Sequence, residues 1–185
     1  PFDCSAKPCL ALTFDDGPDP AHTKQILDVL ARSEVPATFF ITGRNAVGQT
    51  DLLRRMVEEG HLIGSHSYSH LRTEDASTWR LRLELNALER FVEGATGRGM
   101  RLYRSPYGQT DGPVDAEGAA GLAVAQQAGF MVVGTDIAPR DWEARDPEAI
   151  LAEIRAALDP AQGAQVIALH DAGGDRSATV AALPR

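Results

Sequence analysis

The sequence lacks any apolar run near the roughly 18 residues that a membrane-spanning helix needs, and its N-terminus has no basic segment followed by an apolar one. A transmembrane segment is therefore not expected. It also lacks a lysine or arginine cluster, and with 18 Lys+Arg against 26 Asp+Glu its formal net charge is -8. Nucleic acid is not an expected partner, because neutralising phosphates needs concentrated positive charge. No internal repeat, linker or low-complexity stretch divides the 185 residues, of which 43% are hydrophobic. One domain over residues 1–185, around one core, is the expectation. Cysteine is scarce: Cys4 and Cys9 lie close together ahead of the first apolar run. A Cys4–Cys9 disulfide fits an exported protein, whereas two free thiols would fit a reducing compartment.

What is present has the rhythm of an α/β fold. Cys9 to Phe14 reads as a short buried strand. After the turn at Asp19-Pro20, His22 to Arg32 places Ile26, Leu27 and Leu30 on one helical face, and Ala37 to Ile41 follows as a second strand. Thr50 or Asp51 can cap a helix through Glu59 that Gly60 ends, and Leu62 to Gly64 gives a third strand. A longer helix from about Ser77 sets Leu81, Leu85, Leu88 and Val92 at helical spacing, with charged residues on its other faces and a stop between Gly94 and Gly99. Leu102 to Arg104, Phe130 to Val133 and Val166 to Leu169 read as further strands. Helices over Asp115 to Ala128 and Pro147 to Leu158 separate them, the second capped by Asp146 with proline at its first position. This alternation predicts parallel strands with right-handed crossovers, in an open sheet or a barrel. Another helix begins after Asp175 just as the sequence ends, so a closing helix and strand are expected beyond Arg185.

Every cluster of chemically capable residues follows a strand, the edge where parallel α/β folds assemble their sites. Thr13-Phe14-Asp15-Asp16-Gly17-Pro18 ends the first strand with two adjacent carboxylates. Two acids side by side repel, which suggests that one binds a cation and the other accepts a proton; an ordinary acidic turn is the alternative. His66-Ser67-Tyr68-Ser69-His70 offers two histidines at i and i+4, which on a helical turn face one way and suit a metal. With one carboxylate they would make a three-ligand site with positions open to water and substrate. Arg104 precedes the turn Ser105-Pro106-Tyr107-Gly108 and is placed to hold a carboxylate by bidentate hydrogen bonds. Asp136 to Trp142 carries an acid beside an aromatic, and Ile167 to Asp171 ends the last strand in His170, a proton donor if a carboxylate such as Asp141 raises its pKa.

In this order, TFDDGP, HSYSH, RSPYG, the Asp-Trp pair and the apolar residues before His170 resemble the motif set of the NodB-homology domain of polysaccharide deacetylases, carbohydrate esterase family 4, from about Cys9 to Pro184. The resemblance implies a deformed, incomplete (β/α) barrel. It implies Asp15 as catalytic base, Asp16, His66 and His70 as metal ligands, and Arg104 as the tether of the base. It further implies that the backbone N–H of Tyr107 meets the oxyanion, that Asp141 orients His170 as general acid, and that Trp142 and Leu169 line the acetyl-methyl pocket. Its cofactor is one divalent ion, zinc first, with cobalt or nickel as alternatives.

The implied activity removes acetyl groups from N-acetylglucosamine units of an acetylated polysaccharide, of peptidoglycan or chitin type, by a secreted or cell-wall protein, expected to be a monomer. O-acetyl xylan or polysaccharide ester cleavage at the same site is one alternative, and a non-catalytic sugar-binding module is the other. Two departures stand out. Ala138 occupies the position three before Asp141 where the family usually has an acid, with Asp136 two residues further back. The elements that normally follow the last motif are not in the sequence.

Overall fold

A computed structural model describes residues 9–73, 76–108, 116–161 and 163–184. Among them, six parallel strands form one sheet: β1 (Cys9–Asp15), β2 (Thr38–Ile41), β3 (Leu62–Ser65), β4 (Leu102–Tyr103), β5 (Met131–Val132) and β6 (Ala164–His170), in the order β5-β4-β3-β2-β1-β6. Helices α1 (His22–Ser33), α2 (Gly43–Ala46), α3 (Thr50–Glu58), α4 (Thr78–Thr96), α5 (Ala116–Gln127), α6 (Pro147–Ala157) and α7 (Ser177–Ala182) connect or follow them. The sheet curls strongly. Beyond β5, Ile137 returns to pair with Ile167 at the opposite edge of the sheet. The five residue steps from Val132 to Ile137 span at most about 18 Å, so the two edges bend towards each other. The result is a half-closed barrel, as the resemblance implied.

Strand alternation sorts the side chains into two layers. Phe14 stacks on Phe39 with ring centroids 5.1 Å apart, and both join Ile26, Leu30, Leu85 and Leu88 in the core between sheet and helices. Their neighbours Asp15 and Phe40 point to the inner side, in register with each other and with His170. Gly64 makes this packing possible, because a Cβ there would lie 2.6 Å from the Phe40 ring. Phe40 in turn carries the Arg104 guanidinium, 4.2 Å above its ring.

Most expected elements stand within a residue or two of their predicted ends. The short α2 was not expected, and α3 starts after Gln49 with no side-chain cap from Thr50 or Asp51. Asp146 does cap α6, accepting from the Glu148 N–H. The Cys4–Cys9 pairing falls on Cys4, outside the described residues.

Candidate active site

The inner face opens at the C-terminal ends of the strands into a cleft of about 660 Å³. Asp15, Asp16, His66, His70, Arg104, Tyr107, Trp142 and His170 all line it. The motifs at the ends of β1, β3, β4 and β6 contribute because parallel strands end together, and Trp142 joins them from the loop that follows the Ile137–Ile167 bridge.

Asp15 is the last residue of β1, 6% exposed. Its Oδ1 accepts from Arg104 Nη1 at 2.7 Å. The expected bidentate grip is absent: Nη1 also donates to Thr13 Oγ1, and Nη2 donates to the Gly134 carbonyl. Arg104 thus spreads its fork over three partners, two on β1 and one just after β5, and leaves Asp15 Oδ2 without an arginine partner. Thr13 was not singled out from the sequence, yet its hydroxyl links Arg104 to the Ile167 carbonyl of β6.

Asp16 turns away because its φ is 78°, a left-handed conformation that aspartate tolerates better than most residues. Its Oδ1 lies 3.0 Å from His70 Nε2 and 3.6 Å from His66 Nε2. That oxygen is buried and has no hydrogen bond of acceptable geometry. The ligand atoms of Asp16, His66 and His70 lie within 4.8 Å of one another. A buried oxygen and two imidazole nitrogens that converge without bonding each other fit a single divalent ion well.

The His66–His70 segment is not the helical turn expected from its i, i+4 spacing. Ser67 and His70 adopt left-handed φ values of 61° and 59°, and the chain folds back as an irregular loop. The histidines still meet, through loop shape rather than helical periodicity. His66 can donate from Nδ1 to the Arg104 carbonyl at 2.9 Å, which leaves Nε2 free to bind a metal. Burial pushes its imidazole pKa down, outweighing the attraction of Asp15 and Asp16. For Asp16, burial acts upwards but the imidazoles of His70, His66 and His170 prevail and hold its carboxyl below the usual range.

His170 ends β6 with its Nδ1 2.8 Å from Asp141 Oδ1. Asp141 is buried, and its Oδ2 accepts from the His170 backbone N–H and from Thr179 Oγ1 on α7. Burial lowers the His170 pKa, but the contact with Asp141 and the charges of Asp141, Asp15 and Asp16 raise it above its ordinary value. Asp136 does not reach this ring; its Oδ2 accepts from the Val166 N–H at the edge of β6. Trp142 packs edge-on to His170, with centroids 4.9 Å apart. Leu169 does not line the cleft as expected. Its place between Ala168 and His170 turns it to the helix layer, where it joins the core, and Ala168 lines the cleft instead. Tyr107 sits in the Ser105–Gly108 turn with φ 54°, and its ring meets that of His70 edge-on at 4.5 Å.

Two buried acids escaped the sequence reading. Asp171 accepts from the Gly17 N–H and from Thr23 Oγ1, pinning the loop that carries Asp16. Gly17 is required there, since a Cβ would fall 2.1 Å from the Asp171 carboxylate. Glu84 accepts from the Tyr68 and Ser69 N–H groups and the Ser69 hydroxyl. Its signal was its position: Glu84 follows Leu81 by three residues and so lies in the buried stripe of α4. His61 packs at the start of β3, away from the cleft, with Nδ1 accepting from the Ala37 N–H.

Comparison with known proteins identifies the family and the fold. The polysaccharide deacetylase family model matches residues 3–133. A peptidoglycan-N-acetylglucosamine deacetylase from Bacillus cereus is 34% identical over 178 residues, 95% of this chain and 78% of the relative. A chitooligosaccharide deacetylase from Bradyrhizobium sp. is 36% identical, covering 96% of this chain and 78% of the relative. Among solved structures, the family 4 carbohydrate esterase from Streptomyces lividans in complex with acetate superposes with a TM-score of 0.80 at 30% identity, over 95% of this chain and 84% of the other. The chain belongs to the polysaccharide deacetylase family, the NodB-homology group of carbohydrate esterase family 4.

Proposed function

We propose that this protein is a divalent-metal-dependent deacetylase that hydrolyses N-acetyl groups on N-acetylglucosamine units of a peptidoglycan or chitin-type polymer. The observation that carries the proposal is one cleft lined by two differently supported groups, Asp15 held by Arg104 and His170 held by Asp141, together with the converging donor atoms of Asp16, His66 and His70. The named activities of the Bacillus cereus and Bradyrhizobium relatives support the substrate class.

Asp16, His66 and His70 would hold the ion. When bound, it supplies Lewis acidity to the acetyl carbonyl and to water. Asp15 takes the proton of the attacking water at Oδ2, the oxygen that Arg104 leaves uncommitted. The backbone N–H of Tyr107 donates to the developing oxyanion. His170 directs Nδ1 to Asp141, so Nε2 carries the proton to the leaving nitrogen as the C–N bond breaks. Trp142 and Ala168 offer an apolar wall for the acetyl methyl. Action at the cell wall or outside the cell follows from such substrates, and no helix among the described residues is long and apolar enough to cross a membrane.

The test is acetate release from chitooligosaccharides, peptidoglycan and acetylated xylan, each with chelator and then with added zinc, cobalt or nickel. Metal-restored release from the glucosamine polymers is expected. Release confined to acetylated xylan would redirect the assignment to ester cleavage, and no release from any polymer would leave a sugar-binding module.

A further inference from the structure

The two histidines of the metal triad are held in different ways. His66 directly follows β3, and its ring is fixed by the bond between Nδ1 and the Arg104 carbonyl. His70 lies four residues further on, past a left-handed Ser67, and is itself left-handed. Among the described residues its ring meets those of Tyr107 and His66, and its Nε2 pairs with the fellow ligand Asp16. Its position is therefore set by the backbone from residue 67 to residue 70.

The carbonyls of Ser67 and Tyr68 accept from the Gly43 and Arg44 N–H groups, while the inward N–H groups of Tyr68 and Ser69 both end on one side chain. Glu84 is 4% exposed in the otherwise apolar buried stripe of α4, where an unpaired carboxylate would be costly. Its Oε2 accepts from the Tyr68 N–H at 3.2 Å and the Ser69 N–H at 2.9 Å. Its Oε1 accepts from Ser69 Oγ at 2.6 Å and from Arg80 Nε at 2.9 Å. Burial pushes the Glu84 pKa up, but the Ser69 donors and Arg80 outweigh it and keep the carboxyl below its ordinary value. An ionised carboxylate is pure acceptor and can take all of these donors together, which no neutral side chain of its size can do.

We propose that Glu84 is the positioning residue for His70: by gathering the inward N–H groups of Tyr68 and Ser69, it fixes the left-handed loop that presents His70 to the metal. The proposal rests on the metal-site reading given above. Glu84 touches neither metal nor substrate, and its influence passes through the loop.

Glu84→Gln tests this with little change in volume. The amide keeps one acceptor oxygen for the two N–H groups but turns a donor towards Arg80 or the Ser69 hydroxyl. Zinc affinity measured by competition titration should fall by about 10- to 100-fold, the range for outer-shell partners of metal ligands. The visible spectrum of the cobalt-loaded protein should change, while the metal-free melting temperature stays close to wild type. Ser69→Ala removes only the hydroxyl arm and should weaken zinc binding less. Unchanged affinity and an unchanged cobalt spectrum in Glu84→Gln would reduce Glu84 to a core brace and overturn the proposal. Should Glu84→Gln fail to fold, Ser69→Ala decides: wild-type affinity and spectrum there overturn it equally. A wild-type protein that takes up no divalent ion would instead sink the metal-site reading itself.

Discussion

Asp15 and Asp16 are consecutive residues with the same side chain, and the fold gives them opposite surroundings. Asp15 closes a strand, faces inward and accepts from a buried arginine. Asp16 begins a loop in a left-handed conformation and faces two imidazoles. One backbone dihedral separates them. The lesson is that adjacent carboxylates are accommodated when a left-handed residue turns the second away from the partners of the first, Arg104 for Asp15 and the two imidazoles for Asp16.

The sharpest way to break this comparison is to neutralise each acid in turn. Asp15→Asn should leave metal affinity near wild type and lower kcat by about 10²- to 10⁴-fold, the contribution typical of a positioned general base. Steady-state acetate release alongside zinc titration measures both. Asp16→Asn should act first on the metal, weakening zinc binding more than the roughly 100-fold upper range of outer-shell changes. Activity should then return in part at high zinc. If both variants lose metal to the same degree, the two acids do not divide the work.

A third substitution sharpens the comparison by changing the acid that supports His170. Asp141 raises the His170 pKa, and a general acid must be protonated to act, so activity should fall as pH rises through that raised value. In Asp141→Asn burial dominates, the His170 pKa drops, and the alkaline limb of the kcat profile should move to lower pH. The acidic limb, set by other groups, should hold its place. A limb that does not move would remove His170 from the role of proton donor.

How much of this was legible beforehand depends on the range of the signal. The strand-helix alternation gave the parallel sheet, because hydrophobic period and turn residues are local. The clusters at strand ends were legible because each sits within a few consecutive residues. Leu169 was misread because β6 alternates: the residue adjoining His170 points to the opposite face, and Ala168 takes the cleft position. The His66–His70 spacing suggested a helix, whereas two left-handed residues and a carboxylate from α4 shape the loop. Thr13 and Asp171 were missed because their partners lie far along the chain, as with Asp171 and Gly17, 154 positions apart; Glu84 was missed because its place in the apolar stripe of α4 marks it as buried without naming the loop it holds.

Asp171 supplies the smallest and most specific effect. It sits behind the Asp15–Asp16 turn, fully buried, accepting from the Gly17 N–H and the Thr23 hydroxyl. Burial pushes its pKa up from 3.8 to about 7, with the Thr23 bond opposing and the charge of Asp16 adding to the rise. The folded state therefore binds a proton that the unfolded state releases between these values. Asp171 contributes most to stability below its unfolded pKa, and that contribution is lost as pH rises through its folded value near 7. Asp171→Asn cannot ionise, so its stability should change less between pH 5 and pH 8 than that of the wild type. Urea denaturation of both proteins with chelator at those two pH values measures the difference. An equal change in the two would mean that Asp171 is ionised in the folded protein across the whole interval, and that the turn beneath Asp15 and Asp16 rests on a charged anchor.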